Sequence, residues 1–205
     1  MIIEKYNAVF FHVPKVAGYS IEQYLLPQNR NWKIFDENIL FGLHNGIMTQ
    51  HLNYSEMLYY KSREFLDSHF KFAFFRNTWD RFCSAFFYLE PHYLKQQHTF
   101  DNFVESTCLQ VASYKKTNGW HFAKQTDWLF KDDGTLALNF IGRYENLNND
   151  FKLVCEKLNI EYKPLKRLNT SKNSSINYRD MYTDRTKNLI AEAYAEEIKY
   201  FDYKF

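Results

Sequence analysis

The stretch that decides the fold is Ala8-Val9-Phe10-Phe11-His12-Val13-Pro14-Lys15-Val16-Ala17-Gly18-Tyr19-Ser20. Ala8 to Val13 is a short apolar, β-prone run that ends at Pro14, which reads as a buried strand. From Ser20 onward, Ile21, Tyr24 and Leu25 have helical spacing. A strand that ends in a tight loop and enters a helix aims the unpaired N–H groups of the first helical turn, and the positive end of the helix dipole, at one point. Pro14 stiffens the entry to this loop and Gly18 lets backbone come close to a bound oxyanion. Lys15 adds a mobile positive charge, and Ser20 offers a hydroxyl at the helix start. Taken alone, the pattern fits an ordinary βα turn with a surface lysine equally well. The lysine precedes the glycine, so the arrangement GxxxxGK[ST] is absent, which disfavours ATP or GTP hydrolysis.

A second unit has the same form. Phe70-Lys71-Phe72-Ala73-Phe74-Phe75 predicts a strand, Arg76-Asn77-Thr78 a turn, and Trp79 to Leu89 a helix with Trp79, Phe82, Cys83 and Phe86 on one face. Ligands of open α/β sheets bind beyond the carboxyl ends of strands. Arg76 therefore carries a planar donor fork to such a strand end, although its i,i+4 spacing from Asp80 also predicts an ion pair. Ser84 stands eight positions further along, where it reads equally as a helix-surface residue.

Around these units the sequence predicts a helical run after Asn53-Tyr54-Ser55-Glu56, another helix over 100–111, and a hairpin or two short strands over 128–141. Helices follow at 146–158 and 184–201, the latter with Thr183 as N-cap. Alternating strands and helices predict an α/β fold in three layers, with a central parallel sheet covered by helices.

Length and composition agree. A chain of 205 residues, 45% hydrophobic and 24% charged, is in the range of a single globular domain. A net charge of +2 is too small to indicate nucleic acid. Cys83, Cys108 and Cys155 lack CxxC spacing, which argues against a disulfide framework or zinc. No apolar run resembles a signal peptide or a membrane span, so a cytoplasmic protein without a membrane span is expected.

Taken together, the segments are far more specific. His12 to Ser20 resembles the HIPKTAGTS loop of sulfotransferases that use 3′-phosphoadenosine 5′-phosphosulfate (PAPS). Phe74-Phe75-Arg76-Asn77-Thr78-Trp79-Asp80-Arg81-Phe82-Cys83-Ser84-Ala85-Phe86 resembles their FVRNPWDRLVSAY segment. Phe140-Ile141-Gly142-Arg143-Tyr144-Glu145-Asn146-Leu147 is similar to FIGRFENL, and Tyr182-Thr183-Asp184 through Phe205 to the family's C-terminal pattern. The likeness is to carbohydrate sulfotransferases of the heparan 2-O, chondroitin and dermatan type and to small bacterial relatives. It spans nearly the whole chain, and implies a P-loop-like nucleotide-binding fold and sulfuryl transfer from PAPS, with PAP as product and no metal. The acceptor would be a hydroxyl on a carbohydrate or small metabolite.

The resemblance also implies roles. Pro14, Lys15, Ala17, Gly18, Tyr19 and Ser20 would hold the 5′-phosphosulfate, with Lys15 neutralising the leaving oxygen. Arg76 and Ser84 would hold the 3′-phosphate, joined by Lys172 in the polar stretch Asn169 to Ser175, and Ser84 would restrain Lys15 until the acceptor arrives. Val16 and Tyr19 depart from the family's hydroxyl residues, and Thr78 from its proline. An acceptor hydroxyl needs a proton acceptor, and histidine suits neutral pH. His51, in Gln50-His51-Leu52-Asn53-Tyr54-Ser55, matches the family segment that carries this base. His12 reads as structural and His44 as a second candidate. Glu56 is a reserve base whose spacing from Asn53 fits a helix-start role better. Gln125 and Trp128 resemble an acceptor-side segment, with core packing the simpler role for Trp128. A non-catalytic nucleotide-binding or interaction protein on the same scaffold is the alternative reading, kept open by Val16 and Tyr19.

Overall fold

The computed structural model describes residues 1–27, 30–89, 99–110, 121–168 and 176–205. The chain divides into two compact units: residues 1–75 with 125–168, and residues 76–124 with 169–205.

The first unit is built on a four-stranded sheet in the order β1-β2-β5-β6, with β1 Ile2–Ile3, β2 Ala8–Phe11, β5 Phe70–Phe75 and β6 Phe140–Arg143. A separate small hairpin joins β3 Leu43–His44 and β4 Ile47–Met48. The sheet follows from its two apolar runs. All four residues of β2 are buried, as are the last five of β5, the pattern of parallel strands covered on both faces. The strands β2, β5 and β6 run parallel, with Phe11 opposite Ala73 and Phe75 opposite Arg143. The rings of Phe10 and Phe72 stack across the ladder at 5.1 Å. Gly142 lies opposite Phe74, and a Cβ there would come within 2.4 Å of that ring, so the close approach needs glycine. Helices α1 Gly18–Leu25 and α6 Leu147–Lys157 belong to this unit, and Phe151 of α6 meets both Tyr24 of α1, edge to face at 5.0 Å, and Phe74. Two short helices, α2 Tyr54–Met57 and α3 Arg63–Ser68, complete it. Lys71 buries its amine under the end of α3, donating to the carbonyls of Leu66 and His69 at 2.9 and 3.1 Å. The Leu66 carbonyl accepts from the His69 N–H at 3.3 Å as well, and burial lowers the lysine pKa.

The α/β class with parallel strands flanked by helices is as the sequence indicates. The structure adds an antiparallel edge, β1, with Ile2 opposite Val9. In place of a first strand at 128–130, Gln125–Trp128 forms a 3-10 turn, and only a single bridge links Phe130 to Leu136.

The second unit is helical: α4 Thr78–Leu89, α5 Phe100–Gln110, α7 Asp184–Ala193 and α8 Ala195–Phe201. The predicted face of α4 is buried, and Phe82 contacts Phe103, Phe122 and Tyr194. At the centre lies Arg81, fully buried, which donates to the carbonyls of His121 and Ala123 at 3.0 and 3.1 Å and faces the buried carboxylate of Glu197 at 3.6 Å. Thr78 donates to the same carboxylate at 2.6 Å. A charge removed from water must be paired and hydrogen-bonded; these bonds serve both terminal nitrogens of Arg81, while its buried Nε has no hydrogen-bond partner among the described residues. Thr183 caps α7, as its position predicts, in a reciprocal box with Thr186. The single C-terminal helix expected from the sequence is two, broken at Tyr194 (φ −117°, ψ 26°). Among the described residues no helix is long and apolar enough to cross a membrane.

Candidate active site

The loop after β2 is pinned from below. Val13, Pro14 and Val16 are buried, whereas Lys15 and Ala17 are partly exposed and Tyr19 is exposed. The alternation arises because Lys15 and Ala17 both take left-handed conformations, at φ 69° and 65°. For residues with a Cβ this costs roughly 1–3 kcal/mol each, a strain that persists where surrounding structure enforces it. Turns of this kind point successive backbone N–H groups into one concavity, a nest for an anion. Ala17 is the N-cap of α1 and provides no side-chain cap, so the helix dipole is directed at the same place. The residues therefore fit a phosphosulfate: backbone donors, a helix N-terminus and the Lys15 ammonium. Ser20, by contrast, is buried, and its hydroxyl accepts from the Leu168 N–H at 3.4 Å.

His51 stands in the same unit, at the end of the 3-10 turn Thr49–His51. Its Nδ1 lies 2.8 Å from the carbonyl oxygen of His12. A carbonyl only accepts, so Nδ1 carries the proton and the basic nitrogen of the neutral ring is Nε2. The indole of Trp128, itself buried, donates to the His51 carbonyl at 3.0 Å and fixes the main chain at this point. The rings of His51 and His12 are 4.4 Å apart. His12 in turn donates from Nδ1 to Glu22 of α1 at 2.6 Å, and its ring fills the space where Gly18 lacks a side chain. The structure thus brings the predicted base to the residue that opens the anion loop.

Sequence reasoning missed Glu22. The signal was present: Gly18, Ile21, Glu22 and Leu25 form the buried face of α1, and an acid at an i, i+4 position on an apolar stripe needs a buried partner. His44 is engaged elsewhere, stacked on Phe35 at 4.2 Å and bonded to the Tyr60 hydroxyl at 3.1 Å. Glu56 closes a capping box with Asn53, the role its spacing indicates. Gln125 and Trp128 are both buried.

In the second unit, Arg76 forms the predicted pair with Asp80 through two bonds, Nε to Oδ2 at 2.7 Å and Nη2 to Oδ1 at 2.8 Å. The bidentate geometry holds the guanidinium plane fixed. Ser84 is partly exposed on α4. Lys172 lies outside the described residues.

Parallel strands flanked by helices, with a tight loop running from β2 into α1, define an α/β protein. The model of the sulfotransferase family matches residues 1–204. The chain belongs to that family, and its general chemistry is accordingly sulfuryl transfer. Searches of curated proteins and of solved structures each found no match.

Proposed function

We propose that the protein transfers the sulfuryl group of PAPS to a hydroxyl of a carbohydrate or small metabolite, with His51 as general base and Lys15 as charge stabiliser. The observation that carries this reading is the hydrogen bond from His51 Nδ1 to the His12 carbonyl, which turns the basic Nε2 into the ring's working atom at the head of an anion-nesting loop. When bound, PAPS supplies the activated sulfuryl group. The loop amides of Ala17, Gly18 and Tyr19 and the ammonium of Lys15 hold its 5′ end. His51 Nε2 takes the acceptor hydroxyl proton as the new O–S bond forms and the bond to the phosphate oxygen breaks. Lys15 neutralises the charge that develops on that oxygen and can return a proton to it. Sulfuryl transfer is a loose in-line displacement like phosphoryl transfer, so positioning and charge carry most of the catalysis. Arg76 and Ser84 are assigned to the 3′-phosphate, Arg76 with its plane set by Asp80.

The test is turnover with PAPS over a panel of hydroxyl acceptors, alongside PAP binding. Lys15→Ala should lower kcat about 100-fold and weaken PAPS, and His51→Ala should lower kcat by about 100-fold or more while PAP affinity stays. Arg76→Ala should weaken PAP. Tight PAP binding without turnover on any acceptor would instead establish the non-catalytic nucleotide-binding reading.

A further inference from the structure

We infer that Glu22 is a positioning residue for the base, acting through His12. The contacts of His51 include the His12 carbonyl, the Trp128 indole and the His12 ring, and that ring is itself held by a charged side chain. Glu22 is 3% exposed and lies on the buried face of α1. Its carboxylate accepts from His12 Nδ1 at 2.6 Å, the short length of a charge-assisted bond. That bond sets the rotation of the His12 ring. The ring is confined on a second side by Gly18, where a Cβ would stand 2.0 Å from Cδ2 and Nε2, and on a third by His51 at 4.4 Å.

The His12 carbonyl, 2.8 Å from His51 Nδ1, is the group that decides the tautomer of His51. Residue 12 lies just past the end of β2, and the peptide that carries its carbonyl is turned by a bond from the Val13 N–H to the Phe11 carbonyl at 3.0 Å. The orientation of that carbonyl depends on this turn together with what holds residue 12 itself: its side chain through Glu22, and the loop that follows. The chain of contacts runs from the carboxylate to the His12 ring, to the His12 carbonyl, to His51 Nδ1. A helix whose N-terminus forms part of the anion nest therefore also carries, one turn on, the acid that orients the base. Binding an anion at one end of α1 and presenting Nε2 to an acceptor are coupled through a single rigid element.

The inference rests on the reading of His51 as base, and its test has a readout that does not. In nitrogen-15 NMR of the ligand-free protein, the wild-type His51 ring should show a protonated Nδ1 and a lone pair on Nε2. Glu22→Ala should shift it to the Nε2-protonated tautomer or a mixture, and lower kcat on the order of tenfold to a hundredfold with PAP affinity unchanged. Glu22→Gln retains an oxygen acceptor for His12 Nδ1 and should restore both the tautomer and most of kcat. Should Glu22→Ala not fold, the double variant Glu22→Leu/His12→Phe removes the buried charge together with its partner and should show the same loss of tautomer. An unchanged tautomer in the folded variant that lacks the bond overturns the inference, as does a Glu22→Gln protein as impaired as Glu22→Ala. If the tautomer follows Glu22 while His51→Ala keeps full turnover, the positioning contact stands and the role of His51 as base falls.

Discussion

Gly18→Ala looks like an improvement by local rules and should be damaging. Gly18 opens α1, where alanine is favoured over glycine by up to about 1 kcal/mol. The Cβ it would add falls 2.0 Å from His12 Cδ2 and Nε2 and 2.6 Å from Cε1. To reach ordinary contact the imidazole must retreat by about 1.5 Å. It cannot do so and keep its 2.6 Å bond to Glu22. Forcing a methyl into packed space costs about 1–3 kcal/mol, and losing a hydrogen bond to a charged group about 1.5–3 kcal/mol. The repulsive side wins, for a net loss of about 1.5–5 kcal/mol, or a Tm lowered by roughly 3–20 °C in a chain of this size. The assay is thermal unfolding of four proteins: wild type, Gly18→Ala, His12→Ala and the double variant. With the ring gone the methyl has room, so the double variant should melt no lower than His12→Ala alone. Equal Tm values for wild type and Gly18→Ala, or a cycle in which the two losses add, would refute the geometry.

Two further expectations are independent of that clash. Trp128→Phe removes the donor to the His51 carbonyl and part of a buried ring system; it should cost about 2–3 kcal/mol of stability and lower kcat several-fold with PAP affinity intact, measured by unfolding and steady-state kinetics. Burial pushes the thiols of Cys83 and Cys108 up to about 12 and that of Cys155 up to about 11. The thiolate is the reactive form, so at pH 8 iodoacetamide should leave all three unmodified in the native protein and label them once it is denatured, with mass spectrometry as the readout. Rapid native labelling of Cys83 or Cys155 would contradict their burial, and of the half-buried Cys108 its raised pKa.

What the sequence shows of this fold depends on how far each signal extends along the chain. The strands β2 and β5 were legible because four or five consecutive buried residues leave no other economical reading, and each runs into a breaker or a charged turn. The caps at Asn53 and Thr183 were legible because a cap is local chemistry. β1 was not, since two residues carry no periodicity. The break at Tyr194 was not either, because no glycine or proline marks it. Tyr194 places its hydroxyl on the Phe122 carbonyl at 2.6 Å and its ring against Phe82, and contacts from elsewhere in the chain override helix propensity. The 3-10 turn at Trp128 has the same origin, in the indole bond to His51. Of the site, the loop, Lys15 and His51 could be proposed from pattern. Glu22 was legible as an acid on the apolar stripe of an eight-residue helix, but its partner was not, because the His12 ring reaches it only through the turn of the loop.

The same reasoning bears on the two departures from the family loop. Val16 and Tyr19 stand where hydroxyl residues are usual, and that substitution is what kept a non-catalytic reading open. In the structure Val16 is fully buried and serves as the pin beneath the loop, while Tyr19 is 39% exposed with its backbone in the first turn of α1. A hydroxyl buried at position 16 would itself demand a partner. The nest is drawn from main-chain N–H groups, whose direction is set by the φ angles of Lys15 and Ala17 and not by the side chains at 16 and 19. Under the proposed function, exchanging a hydroxyl for an apolar pin would remove one polar contact to a sulfate without dismantling the concavity assigned to it. The departures weigh on the strength of anion binding, and the Glu22–His12–His51 chain, which involves neither residue, is untouched by them.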